Sequence, residues 1–79
     1  MDAERLVSLR RAEPFKPFNL VMKDGRNLPV ERASYLAISP DRTKLVYAKT
    51  GGGFEILAVD HVADAVVDEQ MQTMWRRLG

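Results

Sequence analysis

Seventy-nine residues, 46% hydrophobic and 29% charged, make one small globular domain near the lower size at which a single core folds unaided. Twelve basic against eleven acidic residues leave a net charge of +1, which removes the broad basic excess of a strong phosphate binder. The absence of cysteine excludes disulfides, iron–sulfur clusters and thiolate zinc sites, and no run approaches the roughly 20 apolar residues that span a bilayer.

The first segment, residues 1–13, reads as an N-terminal helix over 2–12. Asp2 is suited to cap it, and Glu4 and Arg10-Arg11 sit at the favourable ends of its dipole. Leu6 and Leu9 give a narrow apolar stripe, and Pro14 forbids continuation. The start of the chain carries acids and lacks an apolar run, so the expectation is a cytoplasmic protein without a secretory leader.

Two Pro-Phe pairs follow, Pro14-Phe15 and Pro17-Phe18. Both prolines hold the chain extended, which frees the two rings to pack at a seam between helix and sheet. Phe18, Leu20 and Met22 then alternate with Asn19, Val21 and Lys23, the period of a strand with one buried face. Asp24-Gly25 predicts a two-residue type I′ hairpin, with Leu28 and Val30 inward on the return.

Shorter strands are expected at 35–39 and 45–49, separated by the Pro40-Asp41 turn. The Gly51-Gly52-Gly53 turn leads into a strand over 54–59, and an Asp60-His61 corner leads into the last strand, 62–67. The run Phe54 to Val59 is apolar on both faces beyond Glu55, so it demands burial on two sides, in a closed barrel or against a partner. From Asp68 the period changes. Met71, Met74, Trp75 and Leu78 stand at helical spacing, predicting a C-terminal helix over 68–79 that docks on its own barrel or grips a partner.

The segments PFKPFNLVMKDGRNLPV, YLAIS and GGFEILAVDHVADAVV resemble small uncharacterised bacterial proteins in which Pro-Phe-x-Pro-Phe precedes an Asp-Gly-Arg hairpin, over about residues 5–67. The element order is similar to the Sm-like class of small β-barrels. That resemblance implies a strongly bent five- or six-stranded antiparallel barrel over 17–67, ring assembly through edge strands, and RNA in the pore. Sm proteins place an Asp and an Asn where this chain has ERASYLAIS, and an Arg-Gly-like pair where it has AVDHVAD. Their base- and phosphate-binding residues therefore do not carry over, since function is grafted on folds.

Candidate chemistry is sparse. His61 lies near Asp60 and Asp64, but strand spacing turns His61 away from both, which favours a corner histidine over a metal ligand or proton shuttle. No nucleophile elbow accompanies the serines, and the triple glycine lacks the lysine and following helix of a P-loop. No catalytic, cofactor or metal residue is singled out. Arg10, Arg11, Lys16, Arg26 and Arg32 are the RNA candidates, with Tyr35 or Tyr47 to stack bases, although Glu4, Glu13, Asp24 and Glu31 interrupt every cluster. The expectation is an α+β, mostly β domain acting as a non-enzymatic, self-associating or protein-binding module. An Sm-like RNA-binding ring subunit is the alternative.

Overall fold

The computed structural model describes residues 1–67. Helix α1 (Ala3–Arg11) precedes strands β1 (Phe18–Met22), β2 (Asn27–Val30), β3 (Leu36–Ile38), β4 (Lys44–Ala48), β5 (Phe54–Ala58) and β6 (Val62–Val67). Short 3-10 turns, Ala33–Tyr35 and Val59–His61, introduce β3 and β6.

Asp2, in extended geometry, accepts the Glu4 N–H at 3.0 Å and so satisfies an orphan donor of the first turn. The helix ends at Arg11, with Ala12 already extended ahead of Pro14; the Glu13–Pro14 bond is cis. Leu6 is fully buried, and Ala3 and Leu9 pack partly against the same core. Two arginines fasten α1 to both halves of the molecule. Arg5 donates to the Ala65 carbonyl at 2.8 Å and to Asp64 at 3.1 Å, on β6, while Arg10 Nε donates to the Leu36 carbonyl at 2.5 Å, on β3.

The strands form two antiparallel three-stranded sheets, ordered β2-β1-β6 and β3-β4-β5. This corrects the expectation of one bent barrel. The 3-10 turn Ala33–Tyr35 absorbs the first residue of the strand expected at 35–39, and β2 and β3 then pair with different neighbours, so the ladder does not close. The α+β, mostly β class stands. The helix expected over 68–79 lies outside the described residues.

Phe18, Leu20, Met22, Val30, Val62 and Ala65 of the first sheet face Leu36, Leu45, Tyr47 and Leu57 of the second. The Tyr47 hydroxyl donates to the Pro29 carbonyl at 2.7 Å, joining β4 of one sheet to β2 of the other. The Pro-Phe seam takes the expected form. Phe18 is fully buried, Phe15 is half-buried, and their rings tilt together with centroids 5.9 Å apart.

The first hairpin differs in detail from its expected turn. Gly25 N–H bonds the Met22 carbonyl, and Met22 N–H bonds the Arg26 carbonyl, so the loop holds Lys23, Asp24 and Gly25. Only Gly25 has positive φ (95°), whereas a type I′ turn needs it at Asp24 as well. The turn is therefore a three-residue loop in which Gly25 makes the bulge. The same construction recurs after β4, where Gly52 N–H bonds the Lys49 carbonyl, Lys49 N–H bonds the Gly53 carbonyl, and Gly52 lies at φ 100°.

Candidate interaction surface

Strand β5 lies at one edge of its sheet and combines two exposed features. Its register against β4 sets Tyr47 opposite Glu55, Val46 opposite Ile56 and Ala48 opposite Phe54. Hydrogen bonds from Lys49 to Gly53 and from Val59 to Thr43 mark the two ends of this ladder. Hydrogen-bonded pairs recur every second residue, so Glu55 and Leu57 direct their backbone groups at β4. The N–H and C=O groups of Phe54, Ile56 and Ala58 consequently point to the open edge.

The side chains of those residues lie on the outer face. Phe54 is 74% exposed, Ile56 70% and Val46 40%, while Leu57, Leu45 and Tyr47 fill the inner face. Ala37 and Ala48 extend the outer face at exposed or half-buried positions. Glu55, the one charged residue in the strand, turns inward, where Arg26 Nη1 reaches its carboxylate at 3.0 Å. Nothing charged on β5 thus interrupts the apolar face.

Edge strands are ordinarily blunted against pairing with other chains. In β2, Pro29 removes a donor; β3 has only three residues; β6 carries a bulge at Ala63, where its pairing with β1 skips one residue, and Asp64 beside it. None of these devices is present in β5 itself, although Lys23, Asp24 and Arg26 of the first hairpin and His61 border Glu55–Ala58 across a cleft of about 590 Å³. Among the described edges it alone combines five residues, regular pairing and apolar side chains.

The basic residues are distributed differently from what RNA binding across one face requires. Arg10 and Arg11 line a cleft of about 310 Å³ together with Arg42, Val7, Ile38 and Ser39. Arg42, held at φ 62°, pairs with Glu4 across its mouth. Arg26 lies at the first hairpin between Asp24 and Glu55, whose hydrogen bonds, that of Glu55 foremost, hold its guanidinium more firmly protonated than usual. The Arg26 backbone N–H in turn lowers the pKa of Asp24. Arg32 stands at the N-cap position of the Ala33–Tyr35 turn without a side-chain cap bond, and Lys16 lies exposed between α1 and β1. Neither lines the Arg42 cleft, although their neighbours Ala33 and Phe15 line a second one with Arg10 and Arg11. Tyr47 is only 3% exposed, and burial raises its pKa, so it is removed as a stacking platform. Tyr35 is half-buried.

His61 is exposed in the Val59–His61 turn, and Asp64 is engaged by Arg5. Among the described residues no cluster of His, Asp and Glu has the grouping of a metal site, and no helix is long and apolar enough to cross a membrane. Met71, Met74, Trp75 and Leu78 lie outside the described residues. Phe54 and Ile56 are not among the residues that the sequence points to as a site, because a strand apolar on both faces is equally compatible with a closed barrel.

No family model matches the chain, and neither a curated protein nor a solved structure matches it.

Proposed function

We propose that the chain is a non-enzymatic, cytoplasmic interaction module that self-associates or binds another protein by adding a strand at β5. One observation supports this reading: a regular edge strand whose outward backbone groups belong to Phe54, Ile56 and Ala58 and whose exposed apolar side chains, Phe54 and Ile56, belong to the same set. Strand addition takes its affinity from main-chain hydrogen bonds and its selectivity from alternate side chains, and β5 offers both.

Ile56→Pro tests the reading. Proline deletes the edge-facing N–H at 56 but no donor used by β4, so the variant should keep its fold and lose association. Retained association with an intact fold refutes strand addition at β5.

The second reading, an RNA-binding ring subunit, draws on the convergence of Arg10 and Arg11 with Arg42 on one cleft. Filter binding of short RNAs at two salt concentrations tests it. Tight binding that weakens steeply with salt, and is reduced in an Arg11→Glu variant that leaves the Arg10–Leu36 bond in place, favours RNA. Absence of binding at low salt refutes it.

A further inference from the structure

We infer that the strand added at β5 is β5 of a second copy, antiparallel across a two-fold axis that passes through Ile56. The inference rests on the β5-edge reading above and names its partner.

Register carries the argument. Three residues present backbone groups at the edge, Phe54, Ile56 and Ala58. Pairing Ile56 with the partner's Ile56 sets Phe54 opposite the partner's Ala58, and all three edge residues of each copy then exchange hydrogen bonds. Shifting the axis to residue 55 or 57 leaves one of the three without a β5 residue opposite it. An axis at 55 also opposes Glu55 to the partner's Glu55, a like-charge pair that is unfavourable in a sheet. The Ile56 axis instead sets Glu55 against the partner's Leu57, and each Glu55 keeps its own Arg26.

Shape agrees with register. On the outer face the largest exposed ring, Phe54, meets the smallest residue, Ala58, and Lys44 stands directly beyond Ala58 on β4. The partner's Lys44 side chain can therefore reach over the alanine methyl toward the Phe54 ring, within the roughly 6 Å of a cation–π contact. Ile56 meets itself, flanked by Val46 of each copy. The result is a six-stranded sheet with a continuous apolar stripe.

Its area sets its strength. Strand addition flanks Phe54 and Ile56 at the edge and leaves their outer face open, so each copy loses to the contact only part of the about 150–250 Å² that a fully covered aromatic side chain would bury. Even with the backbone added, this falls short of the roughly 1,200–2,000 Å² of a standard interface. The dimer is accordingly reversible and dependent on concentration.

The chain has no cysteine, so introduced thiols report on geometry without background. Across the Ile56 axis the two Cα atoms at 56 stand about 5.5 Å apart, inside the disulfide window of about 4.4–6.8 Å. Residue 54 and its own copy stand about 14 Å apart along the strands, outside that window. Sedimentation of the full chain should give a monomer–dimer equilibrium, and Phe54→Lys should weaken it at least about tenfold, since a second ammonium then stands beside the partner's Lys44 in place of the ring. Ile56→Cys should cross-link at least about tenfold faster than Phe54→Cys, and a mixture of Phe54→Cys with Ala58→Cys should restore the cross-link.

A dimer undisturbed by Phe54→Lys overturns both this inference and the β5-edge reading. A dimer sensitive to Phe54→Lys, in which Phe54→Cys joins itself and Ile56→Cys does not, overturns the register alone. A monomer up to millimolar concentration overturns the second copy as occupant. In that monomer, a Phe54→Lys loss of Tm that disappears once residues 68–79 are removed assigns the face to that segment, and a loss independent of their removal leaves the face open to a strand of another protein.

Discussion

Replacing Tyr47 with Phe removes one oxygen and keeps the ring, which isolates the hydrogen bond that joins the two sheets. Tyr47 is 3% exposed, and its hydroxyl donates to Pro29 at 2.7 Å. Leaving a buried acceptor unpaired costs about 1–3 kcal/mol. Pro29 is half-buried on an edge strand, so water relieves part of that penalty. The expected loss is therefore about 1–1.5 kcal/mol, or on the order of 4–10 °C in Tm for a domain of this size. Urea melts at neutral pH read it as a lower midpoint at unchanged slope. The pH dependence gives a second readout. Burial raises the Tyr47 pKa in the folded state, so above the ordinary tyrosine pKa near 10 the unfolded chain has released a proton that the folded chain still holds. Stability falls as pH rises through that range, and Tyr47→Phe lacks this contribution. The gap between wild type and variant must narrow as pH climbs past about 10. A variant within about 0.3 kcal/mol of wild type at neutral pH, or one with the same alkaline slope, refutes the role given to this hydroxyl.

The Pro-Phe seam predicts unequal costs. Phe18→Ala, at a fully buried site, should lose about 3–5 kcal/mol, while half-buried Phe15 should lose about half as much, both read by chemical denaturation. Equal losses would show that the two rings are not distinguished by burial. Gly25→Val places a β-branched residue at φ 95° and should cost about 1–2 kcal/mol or shift the hairpin register, visible as changed amide shifts in β1 and β2. Asp41 accepts from the Ser39 hydroxyl and from the Thr43 backbone and hydroxyl, which hold its pKa down to about 2. Because the folded value is depressed, its contribution is complete above the ordinary carboxylate range and disappears as pH falls toward 2. An NMR titration midpoint near 4 would contradict that hydrogen-bonded turn.

Local signals carried most of the fold. The Asp2 cap, the Pro14 stop, and the alternation of Phe18, Leu20 and Met22 each depend on residues close in sequence, and each is found where the pattern predicts it. The misses are of another kind. Nothing local says whether β2 continues into β3 or hands over at Ala33–Tyr35, because strand pairing is a choice among distant partners. The bulge at Ala63 switches the phase of β6, so Val62 and Ala65 face inward together, against strict alternation. Asp24-Gly25 identified a turn but not its length, since glycine satisfies positive φ in both loop types. The candidate surface was half legible. Two-sided apolarity marked Phe54–Ala58, but exposure depends on whether another strand covers the edge, which is a property of the whole topology.

The two sheets also differ in when they can be completed. β3, β4 and β5 form a meander over residues 36–58, each strand pairing with its neighbour in sequence, whereas β1 must wait for β6, which begins at residue 62. During folding the meander can therefore assemble while β1 still lacks β6, because contacts between distant residues carry the larger loop-closure cost. We predict that in refolding, amide protection appears at Leu57 in the meander before Ala65 at the β1–β6 ladder; the reverse order would refute it. A refolding chain would then display the Phe54–Ile56 edge before its own first sheet is finished, so the surface for pairing exists ahead of the complete fold.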